Sequence, residues 1–320
     1  MKHVLVICHG YFGDHLFASS IAKKLVEEDE SIVDYVVGFP QLIPLFLMNP
    51  YINETFFTGT VGPSPSFKPT KHYDQIIQLG TVSLLEPPPI EFQKLAGVKN
   101  PSPEFTVYTD PMIDAHVEKE FEETKKSGIP IIAIMNNWEP KAYRFTEEEY
   151  RVNNDVPNKG YGGRFRDIPY IINRLQERFI TVFVGTPAGV TQFNETPYDS
   201  RTLVEEASVL KQCDYFVGAE GGLANLASGV GCKTIIGSEF LAMLYGWRGC
   251  IRPVGAPALG PHLYFPNQKH SLLNPFLTDQ EFADTVIGII DNDLQIVYDW
   301  HTNTGGTLLQ QTEDFHEQSV

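Results

Sequence analysis

The sequence predicts an α/β protein made of two successive Rossmann-like units, each a parallel sheet covered by helices. Three observations carry this reading. The chain has 320 residues, enough for two domains of about 150 each. Short apolar runs alternate with helical segments along most of its length, the signature of a parallel sheet with helices on both faces. Two glycine-containing turns, around Gly10–Gly13 and Gly218–Gly222, each lie between an apolar strand and a helix.

Taken in order, His3 to Cys8 reads as a short buried strand, and Gly10-Tyr11-Phe12-Gly13 turns the chain into a helix from about Asp14 to Glu28 with apolar residues at helical spacing. Strands follow at Asp34–Val37, near Thr55–Phe57 and at Tyr73–Leu79, with a helix over Gln41–Met48 between the first two. A charged helix spans Met112–Lys126 and is stopped by Ser127-Gly128, which puts the boundary of the first unit at 1–127. The second unit, 128–300, opens with the apolar strand Pro130–Met135. Residues 136–166 have no period, and a connection of about 30 residues is more often functional than not. The alternation then resumes with helix Asp167–Arg178, strand Ile180–Val184, helix Arg201–Lys211, strand Asp214–Val217, helix Gly221–Val230 and strand Lys233–Gly237. Leu241–Phe276, rich in Gly, Pro and aromatics, reads as loop, and Asp279–Asp291 as a last helix. The polar tail 301–320 is expected to fray.

Composition removes several function classes. A formal net charge of −16 disfavours extended nucleic acid, which is held by clustered Lys and Arg. The opening apolar run is ended by Gly10 and Asp14, far short of the roughly 20 residues of a membrane span, and no signal peptide is readable. Cys8, Cys213, Cys232 and Cys250 have no CxxC spacing; free thiols in a reducing cytoplasm fit them, and a metal site does not.

The sharpest local signal is Cys213-Asp214-Tyr215-Phe216-Val217-Gly218-Ala219-Glu220-Gly221-Gly222-Leu223-Ala224-Asn225. A strand enters a glycine turn and then a small-residue helix whose first amides lack intrahelical partners. Such an end either seats a phosphate or simply lets the helix pack closely on the sheet, and spacing alone leaves both readings open. At the other turn, Asp14 is either a helix N-cap or a carboxylate placed at the C-terminal end of a strand, where open α/β sheets build their sites.

This stretch resembles the donor-binding motif of glycosyltransferase family nine, the heptosyltransferase-like enzymes: an acidic residue, glycine and an Ala-rich helix, matched by Glu220, Gly221, Gly222 and Leu226-Ala227. Asn225 stands where that family has His, which keeps a hydrogen-bonding side chain and loses a titratable one. Gly13-Asp14, after the first strand, is similar to the family's opening turn, and Asn49–Glu54 and Tyr73–Ile77 extend the similarity at the level of pattern. The resemblance implies a GT-B fold, two Rossmann-like domains facing each other across the active-site cleft, and transfer of a sugar from a nucleotide-sugar to an acceptor hydroxyl, inverting and without metal or other cofactor. It implies Asp14 as general base, with Gly13 on the acceptor side; His9, next to Gly10, either lines the acceptor side too or simply hydrogen-bonds a neighbouring backbone group. The donor falls to Glu220, Gly221, Gly222 and Asn225, with positive charge from Lys159, Arg164 or Arg166.

The acceptor would be a saccharide or another hydroxyl-bearing molecule. The acidic residue that the family places near the ribose is not evident after Val184-Gly185. A non-catalytic nucleotide-sugar-binding protein and a nucleotide-sugar epimerase are the alternatives. An NAD-dependent oxidoreductase fits less well: Gly10–Gly13 lacks the third glycine of GxGxxG, and Asp34 is a weak ribose ligand.

Overall fold

The computed structural model describes residues 1–57, 66–80, 88–135, 168–185, 202–218, 221–236, 270–272, 277–299 and 304–309. They form two separate sheets. The first contains β1 (His3–Cys8), β2 (Ile32–Val37), β3 (Glu54–Phe57) and β4 (Gln75–Leu79) in the order β3-β2-β1-β4, all parallel. The second contains β5 (Ile131–Met135), β6 (Ile180–Val184), β7 (Tyr215–Gly218), β8 (Lys233–Ile236), β9 (His270–Leu272), β10 (Gln295–Asp299) and β11 (Thr304–Leu309), in the order β11-β10-β9-β8-β7-β5-β6. Every pairing there is parallel except that of β10 with β11.

Continuous apolar runs make these strands because both faces are covered. On β1, Val4, Val6 and Cys8 join the large core under the helices, while Leu5 and Ile7 pack with Val36 and Tyr73 on the other face. On β5, Ile131 and Ala133 turn to that large core and Ile132 and Ile134 to a second one. The large core holds α1 (Phe12–Ala18), α2 (Ser20–Asp29), α3 (Ile43–Leu47) and α4 (Pro88–Leu95), then α5 (Pro111–Lys126), α7 (Leu203–Gln212) and α8 (Gly222–Gly229). The second core is closed by α6 (Ile168–Gln176) and α9 (Asp279–Asp291).

The expected elements are present, with differences that have local causes. The first helix starts at Phe12 and is divided at Ser19, where the Ser19 and Ser20 hydroxyls donate to Leu16 O (2.7 Å) and Phe17 O (2.8 Å) and compete with the backbone ladder. The sequence pattern hid α4 because it opens on Pro88-Pro89, which a helix tolerates only at its start. His270–Leu272, inside the stretch expected to be loop, pairs as β9, and Thr304–Leu309, inside the tail expected to fray, pairs as β11. Neither is encoded by alternation; both are templated by a neighbouring strand edge.

Asp34 is not placed for a ribose. Its fully buried carboxylate lies toward the N-terminal ends of the first sheet, where it receives Asn53 Nδ2 (2.8 Å), Tyr73 OH (2.8 Å) and Lys71 Nζ (2.8 Å), with His3 Nε2 at 3.0 Å. Burial pushes its pKa up, and the hydrogen bonds from Asn53, Lys71 and Tyr73 outweigh this and hold it below the usual carboxylate range. The starts of β1, β3 and β4 are thereby tied to β2.

Candidate active site

The strand orders contain one reversal each. In the first sheet the chain steps outward from β1 to β2 and β3, then returns to the other side of β1 with β4; in the second it steps from β5 to β6, then returns beside β5 with β7. The crevice beyond the C-terminal ends of such strands is where open α/β sheets bind ligands. The loop after β1 carries His9 to Tyr11, and the loop after β7 leads to Gly221 and α8. His9 is half-buried and its N–H donates to Leu79 O at the end of β4 (2.8 Å), closing the first reversal. At the second, a methyl group on Gly218 would lie 2.8 Å from Met135 Cβ, so glycine lets β7 end close against β5.

Asp14 is the third residue of α1, and its Oδ2 accepts the Tyr11 N–H at 2.8 Å. The carboxylate thus serves the helix start from inside the first turn and not as the N-cap residue, which is Tyr11. It is half-buried, and the backbone at Gly10 makes room for it: a methyl there would meet Asp14 Cβ at 2.4 Å and Oδ2 at 2.7 Å. Its negative charge is felt nearby. Burial first, and Asp14 second, push the Cys8 thiol far up, and burial does the same to the Tyr35 hydroxyl, so neither is a nucleophile. The neighbouring His15 is fully buried among Tyr35, Phe39 and Phe46, with neither ring nitrogen hydrogen-bonded. Burial, with a smaller contribution from His9, lowers its pKa to about 4, so the ring is neutral near pH 7.

The second turn meets the first. Gly221, at φ 140° and ψ −166°, has a backbone that suits glycine, and it is the N-cap of α8. A methyl on Gly13 would lie 2.2 Å from Asn225 Nδ2 and 3.8 Å from Gly222 Cα; a methyl on Gly222 would lie 2.2 Å from Phe12 Cδ1. The first turns of α1 and α8 are therefore packed glycine to side chain in both directions. Asn225 is 5% exposed, and its Oδ1 has no hydrogen-bond partner. Because amide orientation is assigned from the surrounding hydrogen bonds, the finding is a buried polar end of Asn225 left over beside the α8 N-terminus.

Gly13, Gly222 and Asn225 thus meet from the two expected turns, with Asp14 and Gly221 next to them in the chain and His9 in the loop just before the first. Glu220, Lys159, Arg164 and Arg166 lie outside the described residues. Phe12 and Gly10 were missed by the sequence reading. The signal for Gly10 was its spacing from Asp14, which brings a third-position carboxylate back over its own turn; Phe12 had no signal, since its partner Gly222 is reached only through the tertiary fold. No group of three or more metal-ligating side chains occurs among the described residues. No described helix is long and apolar enough to cross a membrane.

No protein-family model matches the chain, and no curated protein matches it by sequence. Solved structures do match its fold. The E. coli ADP-heptose LPS heptosyltransferase II superposes with a TM-score of 0.54 at 12% identity, over 92% of this chain and 99% of that one. A glycosyltransferase family 9 protein of Veillonella parvula DSM 2008 gives 0.52 at 12% identity, over 73% and 80%. The dodecameric iron-containing heptosyltransferase TibC, in complex with ADP-D-β-D-heptose, gives 0.51 at 14% identity, over 91% and 75%. With its two largely parallel sheets and its reversal-point turns, this chain has the fold of the family 9 glycosyltransferases and heptosyltransferases.

Proposed function

We propose that this chain is a glycosyltransferase that moves a sugar from a nucleotide-sugar to an acceptor hydroxyl, in a cleft between two facing Rossmann-like domains, 1–127 and 128–300. The observation that carries the reading is the convergence of Gly13-Asp14 with Gly222 and Asn225, two turns far apart in sequence that each follow a reversal-point strand. The fold likeness to TibC, solved with ADP-D-β-D-heptose, supports a nucleotide-sugar as the donor.

In this reading the donor diphosphate rests on the free amides at the start of α8, where Gly221 and Gly222 keep side chains out of its way and the helix dipole favours negative charge. Asn225 offers its unpartnered amide end to the same ligand. Glu220 serves the donor, and Lys159, Arg164 or Arg166 supplies the positive charge that a leaving diphosphate needs in the absence of a metal. Asp14 takes the proton of the acceptor hydroxyl, with Gly13 and His9 beside it, and the hydroxyl oxygen displaces the diphosphate at the anomeric carbon with inversion. The chain acts in the cytoplasm, consistent with the free buried thiols Cys8, Cys213 and Cys232. The test is a panel of nucleotide-sugars followed by thermal shift and then by sugar release. One donor should raise the melting temperature and be turned over by wild type but not by Asp14→Asn. If no nucleotide-sugar shifts the transition, the reading is wrong.

A further inference from the structure

Phe12 touches α8 from the first turn of α1, and the way it does so leaves part of its ring unused. A methyl group on Gly222 would lie 2.2 Å from Phe12 Cδ1 and 3.0 Å from each of Cγ and Cε1, so the contact is made at the Cδ1 edge of the ring and not over its centre. Phe12 also packs against the large core, and it still keeps some exposed surface. An aromatic ring thus stands at the junction of the two turns with an accessible part.

Two polar groups come from the same turns. The half-buried Asp14 carboxylate is bent back to the start of α1, where it accepts the Tyr11 N–H (2.8 Å). Asn225 lies three residues on from Gly222 and so on the same face of α8. It is 5% exposed, its Nδ2 is held against Gly13, the residue after Phe12, and its Oδ1 has no partner. A buried polar end left unpaired is costly, and a ligand group that meets it removes that cost.

For transfer with inversion, the anomeric carbon has to lie in line between the acceptor oxygen, served by Asp14, and the diphosphate at the start of α8. The sugar ring is then confined to the junction of the two helix starts, beside Phe12. A pyranose presents a row of weakly positive C–H groups on one face, and the face of an aromatic ring is its electron-rich side. The sugar's hydroxyls both donate and accept, so either end of the Asn225 amide can pair with one. We propose, on the donor reading above, that Phe12 is the platform for the transferred sugar, with its ring against a C–H face of the pyranose and Asn225 meeting a hydroxyl of the same sugar. Phe12 then recognises the sugar and not the nucleotide.

The experiment separates sugar from nucleotide. The full chain is titrated by calorimetry with ADP-D-β-D-heptose, UDP-glucose and GDP-mannose, each beside its own nucleoside diphosphate. Wild type is compared with Phe12→Leu, which keeps apolar bulk against Gly222 but has no flat face. The nucleotide-sugar that binds wild type should lose about 5-fold or more in Phe12→Leu, the worth of an aromatic face, while its diphosphate changes by less than about twofold. In proton NMR the sugar C–H signals of that ligand should move upfield on binding to wild type, under the ring current, and not on binding to Phe12→Leu. A nucleotide-sugar that weakens no more than its diphosphate, or sugar signals that stay in place on wild type, would reduce Phe12 to a packing residue and overturn the proposal with the donor reading intact. If none of the three nucleotide-sugars binds wild type, both fall together.

Discussion

Gly13 and Asn225 are held so closely that a single methyl group on the glycine would fall 2.2 Å from the amide nitrogen of the asparagine. Gly13→Ala must therefore displace Asn225 or separate α1 from α8, at a cost of about 1–3 kcal/mol for overpacking. Asn225→Ala should relieve most of that penalty in the double variant, a coupling measurable by urea unfolding in a double-mutant cycle. Additive effects would mean that the two residues do not share the contact.

The mirror contact sets the outcome at Gly222. Because a methyl group there meets Phe12 first, Gly222→Ala is expected to destabilise the chain before any ligand is added, and Phe12→Ala to restore stability. With folding restored, the double variant exposes the effect on phosphate alone. Nucleoside diphosphate affinity, measured by calorimetry, should differ from wild type while that of the uncharged nucleoside stays the same.

Asp14→Asn keeps an oxygen that can accept the Tyr11 N–H, so the start of α1 should survive with a melting temperature close to that of wild type. Loss of a general base lowers turnover by roughly 100-fold or more. Transfer within threefold of wild type would remove Asp14 from the mechanism.

His15 makes stability depend on acid. Its pKa is about 4 in the folded chain against 6.5 for an ordinary histidine, so between these values the unfolded chain binds a proton that the native one refuses. Native stability from this group is complete above pH 6.5 and falls as pH drops toward 4, by roughly 3 kcal/mol over the whole window. His15→Leu removes this term. Its stability relative to wild type should rise between pH 7 and pH 4.5 in urea titrations, and a constant difference would place the sensitivity elsewhere.

The Asp34 clamp belongs to the fold and not to the site. Asp34→Ala strands Asn53, Tyr73, His3 and Lys71 without their shared acceptor and should cost roughly 3 kcal/mol. Since the clamp lies at the opposite strand ends from Asp14, the remaining folded protein should bind donor with unchanged affinity, which calorimetry at low temperature can read.

The two turns were legible because glycine next to an acidic or amide residue, between a strand and a helix, is a local pattern. Their meeting was not, since nothing near Gly222 in sequence says that Phe12 will cover it. Asp34 misled for the same reason: its distance from the first glycine turn is near that of a ribose-binding acid, but its position within β2 puts it at the wrong end of the sheet. The strands β9 and β11 escaped notice because a neighbour's free edge, and not their own alternation, makes them strands.

All strands of the first sheet precede residue 80, whereas the helix that packs on Phe12 and Gly13 begins at Gly222. A ribosome therefore releases a completed N-terminal sheet long before the cover for its first helix exists. Through that interval Phe12 lacks the glycine it packs against, and the packing of the first helix is complete only once α8 has been made.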